Sequence, residues 1–323
     1  MLHRQPDNIW RIDFQLGRDA DPELEKKPER VLPRVRALLG DNAHFEVQWV
    51  SVYTFSCARM ENFRHGRILF AGDAAHCVSP FGARGANSGV QDAENLAWKL
   101  ARVLEGKAPE TLLDSYSDER RYAADENIRC STRSTDFITP KNRVSRTFRD
   151  ATLRLSKDFA FARRLINSGR LSVPTVLRDS PLNTPDRDAF SGDMIPGAPS
   201  ADGPIAQAGH ASWLLGQLGN DFNGIYFSDG SLSAAAPEQL STLGHAPNSV
   251  RVTLVIPNGA TLSNPVAGAS VVEDREGLIQ RRFDARPGTF YLLRPDQHVC
   301  ARWRRFDLGA AEAATRRAMG NPC

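Results

Sequence analysis

No apolar run in this chain is long enough to cross a membrane, so a spanning helix is excluded. No Cys-x-x-Cys occurs either. The five cysteines, Cys57, Cys77, Cys130, Cys300 and Cys323, are scattered. That argues against a zinc site or a dithiol redox centre and fits a reducing cytoplasm. No strong charge of one sign is present: a formal net charge of +3 over 323 residues gives no case for a nucleic-acid partner. The densest basic stretch, the arginines between positions 143 and 187, reads as a solvated helical face. The opening Met1-Leu2-His3-Arg4-Gln5-Pro6 lacks the apolar core of a signal peptide. What is present is the balance of a globular chain, 41% hydrophobic and 24% charged, long enough for about two domains.

One stretch organises the rest. Ile68-Leu69-Phe70-Ala71 is a short apolar run, suited to a strand buried on both faces. Gly72-Asp73 breaks it. Gly82, Gly85 and Gly89 then predict a loop free to take positive φ and to let a ligand approach the backbone. Ala93, Leu96, Ala97, Leu100, Val103 and Leu104 recur at helical spacing, and Gly106 suits a stop. A helix that opens from such a loop offers N–H groups without intrahelical partners and a positive dipole end. An electron-rich group fits there.

Upstream, residues 10–16 alternate as a half-buried strand, residues 22–40 suit a helix, and residues 46–57 read as a second strand. Downstream, Pro109 fits a first helical turn. Leu112, Leu113, Tyr116, Ala123 and Ile128 continue an amphipathic helix, which Thr139-Pro140 ends. Residues 143–171 are helical and basic, and residues 174–204 form a connector rich in Pro, Asp, Gly and Ser. Apolar runs at 224–227, 249–256 and 289–293 predict strands, and 238–240 and 312–319 suit helices. Asp296-Gln297 turns the chain between 292–294 and 298–303, and Asp229-Gly230 reads as a turn. The fold class is therefore mixed α/β.

The run Gly72-Asp73-Ala74-Ala75-His76, then Pro80, then Gly82-Ala83-Arg84-Gly85-Ala86-Asn87, resembles the second flavin-binding motif of the flavoprotein aromatic hydroxylases. These are the monooxygenases related to para-hydroxybenzoate hydroxylase. Extended through Asn95-Leu96-Ala97-Trp98-Lys99-Leu100, it is most similar to the 3-(3-hydroxyphenyl)propionate and phenol hydroxylase branch. Arg294-Pro295-Asp296-Gln297-His298-Val299 resembles the C-terminal thioredoxin-like domain of that branch, here redox-silent for want of Cys-x-x-Cys.

The resemblance implies a division into residues 1–58, the remainder of a substrate-binding sheet; 59–185, the C-terminal part of an FAD-binding domain; and 186–323, the thioredoxin-like domain. It implies FAD as cofactor, NADH or NADPH and O2 as co-substrates, and a phenolic substrate hydroxylated through a flavin C4a-hydroperoxide. It implies a cytoplasmic location and allows a homodimer. Gly72 and Asp73 would serve the ribityl chain, with Asp73 accepting its hydrogen bonds. Ala86 and Asn87 would supply N–H groups to the pyrimidine edge, with Gly85 in the same loop. Arg84 would add a fixed positive charge, set against the alternative of a solvent-facing arginine. Pro80 would lie beside the reactive flavin edge, its carbonyl toward a substrate hydroxyl. Tyr53 and Phe55 would wall an aromatic pocket, set against ordinary sheet core. His76 reads as structural, with no proton transfer assigned.

A complete relative also carries strand–Gly-x-Gly-x-x-Gly–helix for the ADP half of FAD. The spacing Gly82-x-x-Gly85-x-x-x-Gly89 differs from it, and the family's Asp-Gly motif is missing from its expected place. The expectation is an N-terminally truncated hydroxylase whose Met1 falls inside the substrate domain. The competing reading is a non-catalytic remnant acting as a thioredoxin-like dimerisation or interaction module.

Overall fold

The alternating Trp10–Ile12 run forms strand β2, paired antiparallel with β1 (Leu2–Arg4). The computed structural model describes residues 2–17, 19–80, 84–166, 174–245 and 250–321. By their internal contacts these fall into two units, Met1–Phe55 and Ser56–Cys323. In the first, the helix expected over 22–40 is split into α1 (Pro22–Glu25) and α2 (Pro28–Leu39). Pro28 has no N–H with which to continue α1, but it suits the first turn of a new helix. Asp21 caps α1, its carboxylate accepting from the Glu23 N–H at 2.8 Å, and Gly40 ends α2 at φ +89°. Residues 46–57 form no strand, contrary to their alternation. Val47, Trp49, Tyr53 and Phe55 are exposed, so the pattern has no sheet to bury it within the unit.

The second unit begins with short pairs. β3 (Ala58–Arg59) pairs with β6 (His76–Cys77), and β4 (Arg64–His65) with β5 (Ile68–Leu69), all antiparallel. The expected buried strand over 68–71 is thus a two-residue hairpin arm, with Ile68 61% exposed. Helix α3 (Arg84–Leu104) lies against α4 (Leu112–Ile138). The helix starts earlier than the apolar spacing indicates: Gly85 and Gly89 lie inside α3, neither at positive φ. Gly82, expected in the same loop, lies outside the described residues. After Thr139-Pro140 come α5 (Arg143–Leu155) and α6 (Ala160–Ile166); the rest of the expected 143–171 helix is outside the described residues.

The C-terminal part is a seven-stranded mixed sheet. Its strands are β7 (Pro204–Gln207), β8 (His210–Trp213), β9 (Phe222–Phe227), β10 (Val250–Pro257), β11 (Ser270–Asp274), β12 (Phe290–Leu293) and β13 (Val299–Trp303). The order is β13-β12-β9-β10-β11-β7-β8. β9, β10 and β11 run parallel, flanked by antiparallel neighbours. The central strands are buried on both faces, which is why they read as unbroken apolar runs. On one face Phe222, Tyr226, Val252 and Leu254 pack with α7 (Ala236–His245) and α9 (Leu308–Ala318). Trp98 of α3 and Leu112 of α4 enter this same core, so the helix pair is packed into it. On the other face Ile225, Phe227 and Val255 meet α8 (Leu278–Arg282) through Ile279.

The β12–β13 turn forms where Asp296-Gln297 predicts it, with Gln297 at φ +58°. Asp229-Gly230 also turns, the Asp229 carboxylate accepting from the Ser231 N–H at 2.9 Å. Cys300 is buried, which pushes its thiol up to about 12 and keeps it protonated.

Gly224 is the tightest point of the sheet: an added Cβ would lie 2.6 Å from Cζ of Phe290 and 3.2 Å from Cγ1 of Val250. Gly224→Ala should therefore cost about 1–3 kcal/mol through overpacking. Urea unfolding checks this, with a lower midpoint at unchanged slope as the expected result.

Candidate functional site

The turn after β5 is held from behind by one carboxylate. Gly72 takes φ +60°, a conformation that suits glycine, and opens a single 3₁₀ turn over Gly72–Ala74. Its N–H donates to Oδ2 of Asp92 at 2.9 Å. Nε2 of His76 donates to the same oxygen at 2.7 Å, and Nε of Arg120 donates to Oδ1 at 2.5 Å. Asp92 is fully buried. Burial by itself would raise its pKa, but the His76 hydrogen bond and the Arg120 charge outweigh it and hold the carboxyl below its ordinary range. His76 stacks on Phe63 with ring centroids 5.7 Å apart, and its Nδ1 has no hydrogen-bond partner among the described residues. With Nε2 committed to Asp92, the ring is a strut, as the sequence suggests.

The turn also presses against α3. An added Cβ on Gly89 would stand 3.5 Å from Cα of Gly72, an ordinary packing contact, so the turn lies directly against the helix. Ser88 accepts from Nδ2 of Asn127 at 3.1 Å and from Arg120 at 3.3 Å. Arg84, expected beside the ligand or in solvent, is instead 8% exposed and donates to Oδ1 of Asn127 at 2.5 Å. Its charge sits inside the α3–α4 contact. That burial excludes the solvent-facing alternative.

The remaining motif residues lie as follows. The Asp73 side chain is exposed, and its carbonyl accepts from Sγ of Cys77 at 3.5 Å. Pro80 is exposed. Gly85, Ala86 and Asn87 lie in the first turn of α3 as described, where N–H groups point along the axis. The Gly72–Ala74 turn is therefore held against α3 at Gly89 and Asp92, beyond the helix's first turn. Tyr53 and Phe55 belong to the first unit, where their rings stack at 6.4 Å; Tyr53 is 75% exposed.

A second polar cluster lies further along α3. Glu119 of α4 receives Nζ of Lys99 at 2.7 Å, Nδ2 of Asn95 at 2.8 Å and Nη1 of Arg294 at 2.5 Å. The Ser180 hydroxyl also donates to it. Arg294 continues to Asp296 at 2.7 Å, and Asn95 reaches Asp296 at 3.0 Å. Burial lowers the Lys99 pKa to about 8, against the attraction of Glu119. Burial would raise Glu119 and Asp296, but Arg294 wins at both and holds the carboxyls well below their usual range. Sequence reasoning missed both clusters. The one available signal was Asp92, Asn95 and Lys99 at helical spacing on the Trp98 side of α3, a polar stripe that otherwise reads as solvated.

Comparison with known proteins gives these features a setting. Residues 3–131 match the model of a family described as FAD binding domain. The 3-(3-hydroxy-phenyl)propionate/3-hydroxycinnamic acid hydroxylase of Paraburkholderia xenovorans (strain LB400) is 37% identical over 149 residues, 46% of this chain and 24% of that protein. The enzyme of the same name from Escherichia coli O157:H7 is 26% identical over 308 residues, 92% of this chain and 53% of that protein. Among solved structures, the flavin-dependent monooxygenase PieE, in complex with FAD and substrate, superposes with a TM-score of 0.70 at 22% identity. That match covers 95% of this chain and 57% of PieE. Aklavinone-11 hydroxylase with FAD and aklavinone gives 0.64 at 22%, over 94% of this chain and 54% of that one. The chain spans about half the length of the relatives it matches end to end. It carries FAD-binding-domain sequence, and its fold is that of the FAD-dependent monooxygenases related to para-hydroxybenzoate hydroxylase. By sequence it resembles the 3-(3-hydroxyphenyl)propionate hydroxylase branch.

Asp92→Asn should destabilise the chain by about 3 kcal/mol, because the buried Arg120 loses its counter-charge. The folded carboxyl lies below its ordinary value near 3.8, so its contribution is present above that pH and is lost as pH falls through the folded value. Denaturant unfolding at a series of pH values should show a shallower acid-side loss in the variant.

Proposed function

We propose that this chain is the isoalloxazine-facing portion of an FAD-dependent monooxygenase that hydroxylates a phenolic ring. The observation that carries the proposal is the Gly72–Ala74 turn, with its exposed Asp73 carboxylate, held against α3 by Asp92. An acceptor on such a turn and the N–H groups of a helix suit the hydroxyls of a ribityl chain and the electron-rich edge of a flavin. The donor set fits the cofactor. The FAD-binding-domain match and the hydroxylase relatives support the same reading.

In this reading Gly72 and Asp73 hold the ribityl chain. The backbone at Gly85, Ala86 and Asn87 faces the pyrimidine edge, where reduction places negative charge. Arg84, buried behind that turn, adds positive potential rather than a direct contact. The Pro80 carbonyl orients the substrate hydroxyl, and Tyr53 and Phe55 contribute aromatic surface. Residues 1–58 complete a substrate sheet, 59–185 the flavin domain, and 186–323 a thioredoxin-like domain without dithiol chemistry. Bound FAD, reduced by NADH or NADPH, supplies oxygen activation and transfer of a hydroxyl; the protein supplies orientation, charge and exclusion of water. An activated ring is required because the transferred oxygen is electrophilic. A cytoplasmic role in aromatic catabolism, and a homodimer, fit this proposal.

The test uses the protein in its full reading frame, loaded with FAD, and a panel of phenols under ¹⁸O2. Phenol-stimulated NAD(P)H oxidation with one labelled hydroxyl in the product supports the proposal. Oxygenation of ketones or alkenes alone, with no phenol accepted, refutes it. Asp73→Ala should weaken FAD binding about 10- to 100-fold, the worth of a hydrogen bond to a charged group. Flavin fluorescence titration reads that change.

A further inference from the structure

We infer that the C-terminal sheet positions the flavin turn, through Arg294 and Asp296 acting on the α3–α4 pair. The inference rests on the flavin reading above for the meaning of the turn, but its physical content is a coupling within this chain.

The β12–β13 turn aims two charged side chains at the helices. The Arg294 N–H donates to the His298 carbonyl and the Gln297 N–H to the Arg294 carbonyl, both at 2.9 Å, closing the turn. Arg294 and Asp296 then leave on the same side, joined at 2.7 and 3.0 Å. Arg294 meets Glu119 with two N–H groups, at 2.5 and 3.2 Å. Asp296 meets Asn95, whose amide group donates at once to Asp296 and to Glu119. Two side chains of α3, Asn95 and Lys99, one of α4 and two of the β12–β13 turn thus share a single buried junction.

That junction lies next to the support of the turn. Asn95 follows Asp92 by three residues on α3, and Glu119 immediately precedes Arg120 on α4. Asp92–Arg120 and Asn95–Glu119 are therefore successive rungs between the same two helices. Asp92 is the group that holds the Gly72 N–H and His76. If α3 slides or rotates on α4, the Asp92 carboxylate leaves the turn. The second rung resists that motion, and the sheet locks the second rung. Without the Arg294 charge, Glu119 keeps Lys99 and Asp296 keeps only the His298 ring, 3.5 Å away, as an ion-pair partner, and the repulsion of the two buried carboxylates opens the junction. Arg294 and Asp296 are positioning residues, acting on the turn through Asp92.

The experiment is amide hydrogen exchange on the chain as it stands, read over residues 72–76 and, in the same sample, over β10. Asp296→Asn keeps shape and removes one charge; Arg294→Met removes the bridge. Arg302→Gln is the control. It breaks a buried-side ion pair with Asp186, 2.6 Å long, in the same sheet, and none of its recorded partners lies on α3 or α4. The expected result for Asp296→Asn is about two- to thirtyfold faster exchange at 72–76, the range of coupling along packed networks. β10 stays unchanged, and the Arg302 variant leaves 72–76 unmoved. Unaltered exchange at 72–76, or acceleration of 72–76 and β10 together, overturns the inference. Should Arg294→Met fail to fold, Asp296→Asn decides alone. The two claims fail separately: the phenol panel with FAD-loaded protein decides the flavin reading, while the exchange result, which needs no bound FAD, decides the coupling.

Discussion

The Glu119 carboxylate is the constraint on which the second unit depends. It is buried, and it receives donors from α3, from residue 180 and from the β12–β13 turn. Unit charges about 4 Å apart attract by about 4 kcal/mol at the effective dielectric suited to proteins. Taking each ion out of water costs several kcal/mol. The two terms are of the same size, so the cluster adds little net stability. What it adds is geometry. An apolar contact between α3 and α4 would tolerate a shift of a fraction of a turn; a carboxylate with donors on several elements does not. The apolar core supplies the binding energy, with Trp98 and Leu112 set among the sheet residues, and the ionic cluster chooses one arrangement of it.

The same logic applies one helical turn away. Asp92 has an arginine, a histidine and a backbone N–H on its two oxygens. Each donor comes from a different segment: the turn, β6 and α4. Gly72 takes positive φ, where a side chain is strained, and it meets Gly89 of α3 in ordinary contact. The exposed Asp73 therefore owes its place to residues it does not touch.

These arrangements explain what could be read in the sequence and what could not. The sheet was legible because its central strands are buried on both faces and advertise this as apolar runs at 224–227, 250–256 and 290–293. The β12–β13 turn was legible from Asp296-Gln297, and the end of α4 from Thr139-Pro140. The turn at Gly72-Asp73 was legible as a break after an apolar run. Its supports were not. Asp92, Lys99 and Glu119 are charged residues on helices, and composition assigns such residues to solvent. Only the tertiary partners reverse that assignment, and the decisive one, Arg294, lies 175 positions from Glu119.

The strand expected over 46–57 failed for the complementary reason. Alternation reports that a segment suits a half-buried strand; it does not supply the neighbour that buries it. Val47, Trp49, Tyr53 and Phe55 keep the pattern and remain exposed. The two errors have one origin. A residue's pattern states its preference, whereas its burial is decided by partners distant in the chain. Where the partner is another apolar surface, as in β9 and β10, the pattern alone recovers the fold. Where the partner is a single opposite charge, nothing local distinguishes a buried glutamate from a solvated one. The turn after β5 is held by contacts of that second kind, so its sequence is readable as a turn while the means of holding it is readable only in the fold.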